Sequence, residues 1–211
     1  MDLVIVVVTL ALGAGFFLHG LARSRTGASR QNCVANLKQI GIGFRLYAND
    51  SDGKYPMEIS TNKGGTKEIL SAKETFKHYL PPANEISSPK VLICPQDPNR
   101  IPTLNFPYER SDAQTNIFRS NKNLSYFIGL SASENNPTSI LSGDRNITGG
   151  TWDGDVFFFT ATNSAAGWTK SIHNYKGNVG FADGSANQFS SSDLQKFLLE
   201  STNVHRLLLP E

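Results

Sequence analysis

The sequence predicts an α+β fold: a long N-terminal helix, membrane-type in its first half and amphipathic in its second, packed on a small antiparallel β-sheet head. Three observations predict it. Leu3 to Leu18 is an apolar run with one hydroxyl, Thr9, and no charge. It passes without a loop signal into a polar stretch that carries an apolar stripe at helical period and ends at Asn49-Asp50-Ser51-Asp52-Gly53. Beyond that turn the chain becomes rich in Gly, Ser, Asn and Pro, and its apolar segments are short. The layout divides into a stem helix over residues 1–53 and a globular head over residues 54–211.

The stem comes first. Leu3 to Ala22 is twenty residues, enough to cross ~30 Å of hydrocarbon at ~1.5 Å per residue. Eleven of the sixteen residues from Leu3 to Leu18 are Leu, Ile, Val or Phe. Together they favour insertion by about 3 to 7 kcal/mol before His19 and the glycines subtract. Gly13, Gly15 and Gly20 permit close helix packing or local melting. A cleaved signal peptide fits less well, because it needs a basic start, whereas Asp2 is acidic and the helical pattern continues past any plausible cut. A plain single-pass anchor is the other alternative. Arg23, Arg25 and Arg30 follow the run with nothing basic before it, so the positive-inside rule alone would place the head in the cytoplasm.

In the second half, Leu37, Ile40, Phe44 and Tyr47 fall at offsets 0, 3, 7 and 10, one apolar stripe of an amphipathic helix. Lys38, Gln39 and Arg45 take other faces. The stripe reads as core, packed on the head.

The head of about 158 residues is long enough for one domain with its own core. Strands are expected at Val91–Cys94, Leu124–Gly129, Ile140–Gly143, Val156–Thr160, Asn178–Ala182 and Ala186–Phe189. Ala182-Asp183-Gly184-Ser185 is a hairpin-turn signal between the last two. Ser191-Ser192-Asp193 caps a short helix through Leu194, Phe197 and Leu198, and Phe76–Leu80 lies on another. Ser60–Gly65 and Ser131–Pro137 read as exposed loops, and Cys94 to Pro107 as an irregular, ordered connection.

The formal net charge is +2 with no basic block, so nothing suggests a nucleic-acid partner. The two cysteines, Cys33 and Cys94, sit in no metal-type local pair, which argues against a zinc site. They make either one disulfide, stabilising by roughly 4 kcal/mol on the loop-entropy model, or two buried thiols in a reducing compartment. Asp50-Ser51-Asp52-Gly53 and Asp153-Gly154-Asp155 are oxygen-rich turns of the kind calcium uses, but Ala48 and Ile59 stand where further ligands of the first would be needed. No cofactor is expected beyond that calcium possibility.

Three blocks of the chain resemble one family. Asn36-Leu37-Lys38-Gln39-Ile40-Gly41, then Tyr47-Ala48-Asn49-Asp50 and Asp52-Gly53-Lys54-Tyr55-Pro56, look like the start of many prepilin-type proteins. Leu124-Ser125-Tyr126-Phe127-Ile128-Gly129, followed by Ile140-Leu141-Ser142-Gly143-Asp144-Arg145-Asn146, is similar to their middle. His173, nine residues, then Asp183-Gly184 resembles their C-terminal signature. Together the blocks resemble type IV pilin-like and type II secretion pseudopilin-like proteins abundant in Verrucomicrobia, Lentisphaerae and Planctomycetes. Such proteins begin with a basic leader and Gly-Phe-Thr-Leu-Ile-Glu-Leu, cleaved after the Gly and then methylated. This chain departs from that pattern: aligned on Cys33, Met1 falls near the family Ile, Asp2 at its Glu and Leu3 at the next Leu.

The resemblance implies a non-enzymatic, single-pass inner-membrane protein with its head periplasmic or extracellular. Its partners would be copies of itself through the N-terminal helices, other pseudopilins and an inner-membrane assembly platform. Asp2 would set register by pairing with a neighbour's N-terminal amine, and Leu3, Leu10 and Phe16 would lie in the packed helical core of the assembly. Asp2 equally suits pairing with the amine of Met1, or the positive end of the helix dipole. Two rival readings remain. One is a monomeric anchored ligand-binding module using Trp152, Trp168 and Tyr175 as an aromatic platform. The other is an anchored hydrolase using His173 with Asp183 and Ser171, Ser185 or Ser190. For His173 a hydrogen bond across the hairpin, and for Asp144 and Arg145 an ion pair or loop clasp, are the structural alternatives.

Overall fold

The computed structural model describes Val7 and residues 30–107, 116–160, 165–201 and 204–211. Its first extended element is a helix over residues 30–49, α1. Cys33, Leu37, Ile40, Phe44 and Ala48 form its buried face, as the helical spacing requires, with Tyr47 half-buried beside them. Burying each large apolar side chain of that stripe contributes about 1.5 to 3 kcal/mol. The helix stops where Asp52 and Gly53 take positive φ values of 53° and 71° and the Gly53 N–H turns back to the Ala48 carbonyl at 2.8 Å.

The head is built on a seven-stranded sheet in which every strand pair is antiparallel. In chain order its strands are β1 (Tyr126–Gly129), β2 (Ile140–Asp144), β4 (Thr151–Asp153), β5 (Val156–Phe159), β7 (Lys176–Phe181), β8 (Ala186–Ser190) and β9 (His205–Leu208). Across the sheet they run β4-β5-β9-β1-β2-β7-β8. Two further short strands, β3 (Ile147–Thr148) and β6 (Gly167–Trp168), pair with each other. Besides α1 there are the single-turn helix α2 (Ala83–Ile86) and α3 (Ser191–Glu200).

Alternation along the strands sorts side chains to two faces. Tyr126, Ile128, Leu141 and Leu208 join the core that also holds the α1 stripe. Phe127, Ile140, Val179, Phe181 and Leu207 join a second core with Leu194 and Leu198 of α3. The sheet is thus sandwiched between α1 and α3. Close approach on the α1 side depends on small residues. Gly180 of β7 lies under Leu37, its Cβ position 3.5 Å from that side chain, and a Cβ on Gly41 would come within 2.8 Å of the Gly184 backbone.

Five expected strands appear as β1, β2, β5, β7 and β8, each with ends shifted by a residue or two. The turn Ala182–Ser185 joins β7 to β8, with Gly184 at φ +84° and the Phe181 N–H bonded to the Ser185 carbonyl at 2.8 Å. The cap of α3 is Ser190, one residue before the expected Ser191-Ser192-Asp193; it accepts from the Asp193 N–H, and Ser191 and Ser192 lie inside the helix. Phe76–Leu80 falls largely within a 3-10 helix, Ala72–Tyr79. Val91–Cys94 is not a strand. Pro89 starts a 3-10 turn, Pro89–Leu92, which Ser88 caps by accepting from the Lys90 N–H, and Pro cannot supply a ladder N–H there. β9 gave no sequence signal of its own, yet it sits near the centre of the sheet between β5 and β1.

Candidate functional site

One end of α1 meets a buried polar cluster. Cys33, one turn into the described helix, forms a disulfide with Cys94, Cα to Cα 5.4 Å. Cys94 follows the Pro89–Leu92 turn, and the same connection carries Gln96 and Asp97. Asp144 is the last residue of β2, Asn178 lies on the adjacent β7, and His173 precedes β7. Strand pairing of β2 with β7 therefore places a carboxylate, an amide and an imidazole against the disulfide.

The His173 ring contacts three groups. Its Nδ1 lies 2.5 Å from Gln96 Oε1. An amide oxygen only accepts, so Nδ1 carries the hydrogen and Nε2 is left with its lone pair. That nitrogen lies 3.3 Å from Cys94 Sγ and 3.3 Å from Asp144 Oδ2. The contact with Asp144 is not an ion pair between full charges. Burial, with the nearby Arg30 charge, holds the imidazole pKa down to about 4 against some opposition from Asp97. Burial likewise pushes the Asp144 carboxyl up to about 7, although two hydrogen bonds from Asn178 resist the shift. Near neutral pH the imidazole is uncharged and Asp144 sits near its midpoint.

Asp144 Oδ2 accepts from the Asn178 backbone N–H at 2.8 Å and from Asn178 Nδ2 at 2.9 Å. Its other oxygen, Oδ1, is buried with no hydrogen-bond partner among the described residues. Beside it, Arg145 grips Asp97 with two bonds of 2.7 and 2.8 Å. Burial alone would raise the Asp97 pKa, but those bonds more than offset it and hold the carboxyl below its usual value.

The backbone that presents His173 is unusual. His173, Asn174 and Tyr175 take consecutive positive φ values of 56°, 51° and 62°. A left-handed conformation costs a non-glycine residue roughly 1 to 2 kcal/mol. Such outliers concentrate where surrounding contacts over-determine them. Here Asn146 supplies them: its Nδ2 donates to the carbonyls of Thr169, Ile172 and Lys176 at 3.0, 2.9 and 3.3 Å.

The sequence-derived candidates separate. Cys33, Cys94 and His173 come together. Asp183 and Gly184 do not join them; they occupy the turn at the other end of β7. There Asp183 Oδ1 accepts from the Ser185 N–H at 2.8 Å, the Asp183 carbonyl accepts from Arg45 Nη1 at 3.0 Å, and Gly184 packs on Gly41. His173 and Asp183-Gly184 therefore bear on α1 at two points, through the disulfide region and through the hairpin turn. A bond from His173 across the hairpin is accordingly corrected, since its partners lie in the Cys94 connection and on β2. The Asp144–Arg145 pair is corrected too: Asp144 ends β2 and faces Asn178 on β7, whereas Arg145 opens the turn that follows and its guanidinium clasps Asp97. Asp2, Leu3, Leu10 and Phe16 lie outside the described residues.

The remaining candidates have local roles. Trp168 is buried in the α3-side core while Trp152 and Tyr175 are exposed, so the three form no shared platform. Asp155 accepts from Ser71 Oγ and the Ala72 N–H and so pins a loop. Ser171 bonds Thr169, and Ser190 is spent on the α3 cap; neither is placed on His173. Among the described residues, the group of three or more His, Cys, Asp or Glu placed to share a metal ion is Cys33, Cys94 and His173, not either Asp-rich turn.

Gln96, Asp97 and Asn178 escaped the sequence reading. Gln96-Asp97 directly after Cys94-Pro95 is the one available hint, because a polar pair following a buried cysteine must find partners nearby. No family model, no curated protein and no solved structure matches this chain.

Proposed function

We propose that the protein is a non-enzymatic, membrane-anchored pilin-like subunit, a pseudopilin of a type II secretion or type IV pilus-like assembly. The observation that carries this reading is α1. A helix that buries Cys33, Leu37, Ile40, Phe44 and Ala48 in an antiparallel head is preceded in sequence by the apolar run Leu3 to Leu18. Its outer face leaves Ile42 and Leu46 exposed, 54% and 51%, at the i, i+4 spacing through which one helix meets another. An apolar segment joined to a half-docked helix suits anchorage in the inner membrane with the head outside the cytoplasm. A disulfide agrees with that compartment. Among the described residues no helix is long and apolar enough to cross a membrane, and the apolar run, Val7 excepted, lies outside them. The buried, doubly partnered ring of His173 supports a structural rather than hydrolytic role for that residue.

The test uses the full chain in its host membrane or a reconstituted secretion system. The wild type is expected to fractionate with the inner membrane and to form fibres by electron microscopy, with neighbouring stems cross-linking through cysteines introduced at Ile42 and Leu46. Asp2→Ala is expected to abolish fibres while leaving the head folded. A freely water-soluble, solitary full-length molecule, or normal fibres from the Asp2 variant, would overturn the subunit reading or its register element respectively.

A further inference from the structure

Cys33, Cys94 and His173 are all buried, and one ligand atom from each lies within 4.8 Å of the other two. Sequence spacing hides this set, because its members come from α1, from the connection after the Pro89–Leu92 turn and from the segment before β7. Two thiolates and an imidazole are a ligand set suited to zinc, and a closed, water-excluding setting is typical of structural zinc centres. A Cα separation of 5.4 Å serves a bridge, and with small side-chain rotations it also serves two sulfurs on one ion. At a Zn–S bond of about 2.3 Å those sulfurs sit about 3.8 Å apart.

Three further features fit a ligand. Gln96 holds the Nδ1 hydrogen at 2.5 Å, which turns the Nε2 lone pair toward Cys94 Sγ at 3.3 Å; this is the outer-shell bond that orients metal-ligating histidines. Asp144 is fully buried, lies 3.3 Å from the same nitrogen, and carries an oxygen without a hydrogen-bond partner among the described residues. The left-handed turn at His173–Tyr175, held by Asn146, sets the ring position at a conformational cost.

We propose that the disulfide is one state of a two-state centre: reduced, it becomes a tetrahedral Zn2+ site formed by Cys33 Sγ, Cys94 Sγ and His173 Nε2, with the Asp144 carboxylate beside the imidazole turning in to take the fourth position. The chemistry balances with a dithiol reductant. Two electrons pass to the S–S bond, which breaks; the reductant is oxidised to its own disulfide and its two protons go to the Cys33 and Cys94 sulfurs. Zn2+ then displaces those two protons, along with any proton on Asp144, and gains two thiolates, one carboxylate and a neutral imidazole. The complex carries one net negative charge. The Arg30 side chain bears on His173 electrostatically, and its buried Nε has no hydrogen-bond partner among the described residues. The centre either way ties α1 to the head, so the tie survives loss of oxidising conditions.

The experiment uses the full-length chain in detergent, fully oxidised or reduced anaerobically, titrated with Co2+ and then Zn2+. The reduced protein is expected to bind one Co2+ with intense tetrahedral d–d bands and a thiolate-to-cobalt charge-transfer band, and Zn2+ is expected to displace it one for one. The oxidised protein is expected to show neither. His173→Gln is expected to weaken binding at least 100-fold and Asp144→Asn to shift the d–d bands. Gln96→Leu, which touches no metal, is expected to cost 10- to 100-fold. Each variant's fold is verified in the disulfide form before reduction. Absence of tetrahedral cobalt in the reduced wild type, including by unfolding on reduction, would overturn the proposal. So would an unchanged spectrum and affinity in His173→Gln.

Discussion

His78 and His173 are both buried, and desolvation holds both pKa values down to about 4. Their surroundings differ. His78 has ordinary neutral partners, Thr66 Oγ1 at 2.7 Å and the Ile69 carbonyl at 3.0 Å, in a short 3-10 helix with regular backbone. His173 meets a disulfide sulfur and a buried carboxyl, and its backbone is left-handed over three residues. A shifted pKa therefore identifies neither. What separates a satisfied core histidine from a candidate ligand is the chemistry of its neighbours, an oxygen left unbonded, and a strained backbone.

The largest expected effect comes from removing the sulfurs. Replacing both Cys33 and Cys94 with Ser is expected to lower stability by about 4 kcal/mol on the loop-entropy model, measured by urea unfolding of the oxidised proteins. The His78 ring resonances are expected to stay where they are while those of His173 move. Equal movement of both would break the comparison.

Acid sharpens it next. The folded pKa values of His78, His173 and His205 are depressed to about 4 from 6.5. Their stabilisation is present above pH 6.5 and is lost as pH falls through 4. Asp144 has the opposite sign: raised from 3.8 to about 7, its contribution is present below pH 3.8 and lost as pH rises through 7. Near pH 5, then, three protons are gained and one is lost on unfolding, a net uptake of about two from these four groups. Stability should fall as pH drops from 6.5 to 4.5; Glu68, Asp97 and Asp193, held low in the folded protein, add uptake at the acid end, so the share of these four groups is read from variants. Asp144→Asn should raise the uptake to about three, and His78→Leu should lower it to about one.

The same His78→Leu change should cost about 2 to 3 kcal/mol near neutral pH, because the Thr66 hydroxyl and the Ile69 carbonyl lose their partner in a buried place. Asp144→Asn should instead stabilise the oxidised protein by about 1 kcal/mol or more at pH 8, since it keeps an acceptor for Asn178 and removes a buried charge. That gain should vanish below pH 4. The smallest effect is Tyr175→Gly. It relieves a positive φ on an exposed side chain and should stabilise by up to about 1 kcal/mol in thermal unfolding. A loss there would mean that the Tyr175 side chain stabilises the fold through its own contacts.

Much of the architecture could be read locally. The α1 stripe, the Asp52-Gly53 stop, the β7–β8 hairpin and the capped α3 each rest on residues within a few positions of one another, where period and turn chemistry act directly. Val91–Cys94 misled because an apolar run has no period long enough to tell a strand from a proline-started turn. His205–Leu208 was silent because four residues become a strand only by fitting between β5 and β1. The site followed the same divide. Cys33, Cys94 and His173 were visible as residue types, and Asp144 as a neighbour of Arg145, but their mutual arrangement was not.

By itself the chain determined its helical stripe, its turns and its apolar-to-polar course, because these follow from side-chain period and local backbone preference. Only the tertiary structure decided that Cys33, Cys94, His173 and Asp144 share one buried space while Asp183-Gly184 lies at the far end of β7. Contacts across 61 residues between the cysteines, and between strands paired by register, depend on packing that no local window contains.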